Sequence, residues 1–275
     1  MVKWSQIGAP ILGQTNAQSG DSIIISRSGS RIAVGSIYDN LTGSVSIYDL
    51  SSSGWQQIGN KILGANPGAY TGWSIAFTAD ASKIIVCEPG SGGNLRGAAR
   101  IFQLNDAGTW SQLGSQINGP ASGDQTGNSV AISADGARIC IAEWSANVDD
   151  RGAVYTYAWN AETSDWDKLD AIITGNNAYD LTGTSIALSD DGNYLVVGSM
   201  GADDDRGKMI AYAWDSNTLS WLQRGEQIVG RSTKANAGFS VSISASGRVS
   251  MNVQNRGRIR VLLLFGTLHW KMKVS

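Results

Sequence analysis

The segments "NVDDRG" (147–152) and "ADDDRG" (202–207) each set several acids beside an Arg-Gly pair. Asp149, Asp150, Asp203, Asp204 and Asp205 carry oxygens of the kind Ca2+ collects about six to eight at a time, so they are the metal candidates. The plainer expectation is that each cluster is solvated and pairs with Arg151 or Arg206, and that no cofactor is needed. Glu88 and Glu143 end two matching apolar segments, "KIIVCE" and "RICIAE", where they are expected to rim a channel. Two or three carboxylates converging from different segments are what a glycosidase requires. The only histidine is His269, which excludes His-based metal sites and Ser-His triads. Cys87 and Cys140 fall inside the same apolar segments and read as small buried thiols, not as a disulfide framework.

What must position these residues is a repeat. The phrase "WSQIGAPI" at Trp4 returns as "WQQIGNKI" at Trp55, "WSQLGSQI" at Trp110, "WDKLDAII" at Trp166 and "WLQRGEQI" at Trp221, with a worn copy at Trp270. A Gly follows in register (Gly20, Gly72, Gly127, Gly183, Gly238), and two residues after it stands a Ser (Ser22, Ser74, Ser129, Ser185, Ser240). The units run 4–54, 55–109, 110–165, 166–220 and 221–275, and a fixed period of this length marks a repeat architecture. Each predicts four short strands: "GNSVAIS", an Asp-Gly turn, "RICIAE", "GAVYTYAW", and then the Trp phrase. The inner strands are nearly continuous in apolar residues, so both faces are covered, and no segment has capped helical periodicity. Sheets packed on sheets in series imply an all-β fold, a single β-propeller of five four-stranded blades over 1–275. Residues 2–8 are expected to complete the fifth blade, the alternatives being that the Trp270 strand completes it or that the chain is an excerpt of a longer array, and the Trp indoles are expected to pack over the gaps between blades.

The pattern Gly-X-Ser-apolar, Asp-Gly, apolar strand, Gly-apolar-Tyr resembles the FG-GAP repeats of integrin α-type propellers. Proteins with the W-x-Q-I-G opening in secreted or surface microbial and algal proteins are similar too. The resemblance implies an extracellular or cell-surface setting, although the opening "MVKWSQIG" has no hydrophobic signal core. Calcium loops of alternating acids, frequent in that family, are missing from these hairpins ("SRSGSR", "TADASK", "SADGAR").

Composition narrows the function. A net charge of −2 with no basic block removes the electrostatic footprint of nucleic-acid binding. The longest aliphatic run, "VLLLF", is strand-sized, so no membrane insertion is expected. Function is expected on the face with long, variable loops. There Tyr38, Tyr70, Trp73, Trp144, Tyr179 and Phe239, with Glu88 and Glu143, are the contact candidates for a protein partner or a glycan. The repeats are so alike that a singular catalytic centre is not expected. The reading is therefore a non-catalytic interaction scaffold and not an enzyme, with a lectin-like binder as the alternative and a five-bladed glycosidase third.

Overall fold

The computed structural model describes residues 5–146, 149–247, 249–254 and 258–263, with side chains described up to 247. Trp4, Arg256, His269 and Trp270 lie outside the described residues, as do residues 2–4 of the segment expected to complete the fifth blade; residues 5–8 of it form no strand.

The protein is all-β and built of antiparallel sheets in series. The first sheet orders β1 (Ser19–Ile25), β2 (Arg31–Ser36), β3 (Ser44–Ser51) and β4 (Gly54–Gln57), with β5 (Ile62–Leu63) also paired to β3. The second comprises β6 (Ile75–Phe77), β7 (Lys83–Glu88), β8 (Ala98–Leu104), β9 (Trp110–Gln112) and β10 (Ile117–Asn118). The third runs β11 (Ser129–Ile132), β12 (Arg138–Glu143), β13 (Ala153–Asn160) and β14 (Asp165–Thr174). The fourth runs β15 (Thr182–Leu188), β16 (Tyr194–Ser199), β17 (Lys208–Asp215) and β18 (Ser220–Val229). Among the described residues the fifth holds β19 (Ser240–Ile243), β20 (Val249–Gln254) and β21 (Arg258–Leu263). The Trp phrase is thus one long strand in the third and fourth sheets. In the first and second it is broken in two at Gly59 and Gly114, whose φ values are +63° and +73°.

The core lies between sheets, not within one layer. Ile47 and Ile62 of the first sheet meet Ile84, Val86 and Trp110 of the second. Ile85 and Ile101 meet Ile139, Ile141 and Trp166 of the third, and Cys140 and Val154 meet Leu195 and Val197 of the fourth. The second strands β7, β12 and β16 are covered on both sides, which is why they read as apolar runs without alternation. The indoles sit in these interfaces as expected: Trp166 Nε1 donates to the Leu113 carbonyl of the preceding sheet at 3.1 Å, and Trp221 Nε1 to Thr156 Oγ1 at 2.8 Å. Both thiols are fully buried, and burial pushes them up, Cys140 to about 12, so neither is a nucleophile at neutral pH.

The Gly-X-Ser signature ties one sheet to the next. Gly127 has φ +96°, and a Cβ there would lie 2.6 Å from the Cβ of buried Cys87. Only glycine meets both conditions without strain. From the first, third and fourth sheets the Ser reaches forward: Ser22 Oγ donates to the Gly72 carbonyl, Ser185 Oγ donates to that of Gly238 at 2.8 Å, and Ser129 Oγ accepts from the Ile186 amide at 3.1 Å. The first strands therefore adjoin in sequence, β1 by β6, β6 by β11, β11 by β15 and β15 by β19. Four sheets converge on a narrow space of about 230 Å³ lined by Ile24, Phe77, Ile132 and Asp190 at the tight-turn end. Acids in those turns are structural: Asp135 Oδ1 accepts from Ser133 Oγ at 2.6 Å and from the Ala137 amide at 2.9 Å.

Candidate functional site

The long loops and the ends of the second strands meet on the opposite side. At the end of each second strand the repeat places one residue: Ser36, Glu88, Glu143 and Ser199. In three of these sheets a hydroxyl from the point where the chain enters the same sheet bonds to it. Ser19 and Ser36 bond at 2.7 Å, Thr182 and Ser199 at 2.8 Å, and Thr126 Oγ1 donates to Glu143 Oε1 at 2.6 Å. A carboxyl in such a position is almost wholly removed from water, with Glu88 at 0% and Glu143 at 1% exposure. An ionised group there needs a compensating charge.

Glu88 has one. Arg100, on the neighbouring strand and only 12% exposed, forms an ion pair with Glu88 Oε1. Three residues after the Gly that opens the third strand stands Arg100 in the second repeat; in the third repeat that place is taken by Tyr155. The fourth repeat supplies its cation elsewhere: Lys208 Nζ donates to buried Asp180 at 3.0 Å. The counterpart of Asp180 in the third repeat is Asp124, also buried, but the counterpart of Lys208 is Ala153. The third repeat thus keeps both acids and has lost both cations.

The consequence is electrostatic. Burial raises the Glu143 pKa to about 7; the Thr126 hydrogen bond opposes this, the Asp124 charge adds to it, and Lys168 and the Tyr155 hydroxyl oppose it more weakly. Glu143 Oε2 is buried with no hydrogen-bond partner. Tyr155 is raised to about 12 by burial, by the Glu143 and Asp124 charges and by its hydrogen bond to Glu143. It therefore stays a proton donor at neutral pH. Lys168 Nζ lies 3.9 Å from the centre of the Tyr155 ring. Tyr155 and Asp124 face a cavity of about 530 Å³, whose other walls include Ser122, Ser145, Ala146 and Asp150. A carboxyl poised near neutrality beside a polar cavity is equipped for general acid–base work.

The candidates from the sequence divide. Glu143 and Asp150 belong to this site, Glu143 buried behind the cavity wall and not on a rim. Glu88 is a neutralised structural acid. Tyr38 and Tyr70 pack edge to face with centroids 5.5 Å apart. Trp73, Tyr179 and Phe239 are exposed in the loops, and Trp144 holds its indole N–H buried without a partner. The metal candidates do not converge. Asp149 accepts from Arg151 Nε at 2.8 Å, Asp203, Asp204 and Asp205 lie exposed on the four-residue helix α1 (Ala202–Asp205), and among the described residues no three acids, His or Cys are grouped to hold an ion. Asp124, Thr126, Tyr155 and Lys168 were not singled out from the sequence. The signal for Tyr155 was its departure from Arg100 at the same offset.

Antiparallel sheets packed in series, with their first strands adjoining, define a class of repeat folds that many proteins share. No family model matches the chain, and no curated protein matches it. Some 501 solved chains do match, so the fold by itself does not select a role. One is the crystal structure of a "putative 6-phosphogluconolactonase" from Bacteroides uniformis, with a TM-score of 0.63 over 93% of this chain and 71% of that one. The two are 14% identical, so the likeness is one of fold. The finding nonetheless overturns the expectation of a non-catalytic scaffold that is not an enzyme, since the similar structure belongs to a protein described as an enzyme. The ground for that expectation also fails: the repeats are alike in frame, but the third differs from its neighbours where charge matters.

Proposed function

We propose that this protein is a hydrolytic enzyme that opens a lactone or a related ester in the cavity beside Glu143. The observation that carries the reading is the contrast between two equivalent buried acids, Glu88 ion-paired with Arg100 and Glu143 with no ion-pair partner among the described residues, Lys168 acting on it only at longer range. In the proposed step the Tyr155 hydroxyl, which faces the cavity and hydrogen-bonds Glu143, takes a proton from water as the water oxygen attacks the acyl carbon and passes its own proton to ionised Glu143. The hydroxyls of Ser122 and Ser145 in the cavity wall donate to the acyl oxygen as negative charge develops on it. Collapse breaks the acyl–oxygen bond, and the proton held by Glu143 returns through Tyr155 to the leaving alkoxide. The product is a hydroxy acid, which releases one proton to solvent at neutral pH. The similarity in fold to the Bacteroides uniformis protein supports the choice of a lactone as the first substrate to try.

We also propose that the five sheets close as a five-bladed propeller of FG-GAP-like repeats, an idea supported by the serial contacts of the first strands. An extracellular setting remains part of the same proposal.

The reaction is testable by base uptake at constant pH with a panel of five- and six-membered lactones and simple aryl esters. Turnover above the spontaneous rate is expected for at least one lactone. Glu143 must be ionised to act as the base, so kcat/KM should rise with pH through a midpoint near 7, following its raised pKa. No turnover across the panel, or a rate flat from pH 5 to 8 after correction for spontaneous opening, contradicts the proposal.

A further inference from the structure

We infer that the substrate of this site is an uncharged, hydroxyl-rich compound of about monosaccharide size, and that a phosphorylated form is rejected. The inference rests on the hydrolytic reading above and concerns the charge of what the cavity admits. Its walls carry two carboxylates, Asp124 and Asp150, with the hydroxyls of Ser122, Ser145 and Tyr155, and among the described residues no basic side chain. A volume near 530 Å³ lies within the range of about 300–1,000 Å³ typical of small-molecule sites. Behind the wall, buried Glu143 Oε2 is an acceptor without a partner.

The cations nearby are engaged. Arg96 donates to the carbonyls of Gly119 at 3.1 Å and Pro120 at 2.9 Å, which holds the loop forming one wall. Arg151 pairs with Asp149 and bonds the Asn176 carbonyl at 3.0 Å. Lys168 lies over the Tyr155 ring. A phosphate entering here would meet acids at short range and no free guanidinium fork, the usual device for binding it. Sugar hydroxyls meet the opposite situation, because carboxylates and serine hydroxyls accept their protons.

The test compares an unphosphorylated six-carbon aldonolactone with its phosphate ester under identical conditions. The neutral compound should show kcat/KM higher by ~10-fold or more, with the difference mostly in KM and shrinking in 0.5 M salt. Asp150→Asn should raise kcat/KM for the phosphate ester several-fold and narrow the gap. Equal or better use of the phosphate ester by the unmodified protein overturns the inference. Should neither compound turn over, the hydrolytic reading fails separately, and calorimetric titration of both into the unmodified protein still reads the charge preference. Tighter binding of the neutral compound upholds the inference. Equal or tighter binding of the phosphate ester, or no binding of either at 10 mM, overturns it.

Discussion

Glu143→Gln is expected to lower kcat/KM for lactone opening by roughly 100- to 10,000-fold, the usual contribution of a positioned general base. Gln keeps the shape of the side chain and can still accept from Thr126, so the fold is retained and the melting midpoint stays level or rises. A neutral amide no longer carries the desolvation cost that holds the Glu143 pKa near 7. Glu88→Gln provides the contrast. It leaves Arg100 buried and unpaired, which should cost about 3 kcal/mol of stability, while the rate per folded molecule is unchanged. Both variants are read by base uptake and by thermal unfolding. If Glu143→Gln retains more than half of the activity, the carboxyl is a structural acid like Glu88 and the site lies elsewhere.

Gly127→Ala is expected to destabilise the protein by about 4 kcal/mol, combining the cost of a positive φ with overpacking of a closed interface. At this chain length that corresponds to a fall of roughly 10 °C in Tm. The new methyl would lie 2.6 Å from Cys87 Cβ, at the junction between the second and third sheets. Gly108→Ala separates the two effects. Gly108 has a similar φ of +73°, but nothing lies within 4 Å of the added Cβ. It should cost only about 1 kcal/mol. Equal losses for the two variants would mean that the inter-sheet approach at Gly127 contributes nothing.

These two expectations mark where sequence reading succeeds and where it stops. The repeat of Trp and Gly-X-Ser was legible because it answers to recurring geometry: an indole in each of the three gaps between the first four sheets and a glycine where backbones of adjacent sheets nearly touch. Four strands per unit follow from the same regularity. The break of the Trp strand at Gly59 and Gly114 is less legible, because Gly225 takes a similar φ of +69° inside the unbroken β18. The site was half visible. Glu143 was singled out together with Glu88 because both end equivalent strands, and nothing in that placement separates them. Separation needs the register that sets Arg100 against Val86 and Tyr155 against Ile141, which brings each beside its carboxyl. It also needs burial, which turns a missing cation into a raised pKa. The spacing of the calcium candidates was illegible for a related reason, since neighbouring acids in sequence fan out when their backbone turns, as at Asp203 and Asp204 with φ of +53° and +56°. Adjacent aspartates in such a turn do not share a focus.

The central claim is that one carboxyl of this protein stays protonated up to neutrality because its repeat lacks the cation its neighbour has. The most direct measurement is a carbon-13 NMR titration of Glu side-chain carboxyls in the unmodified protein, in Glu143→Gln and in Tyr155→Arg. The account predicts one resonance with a midpoint near 7. It should be absent from Glu143→Gln and move toward the ordinary carboxylate range in Tyr155→Arg, where the new guanidinium takes the place Arg100 has beside Glu88. A spectrum in which every carboxyl titrates below about pH 5, or a midpoint indifferent to Tyr155→Arg, would contradict it.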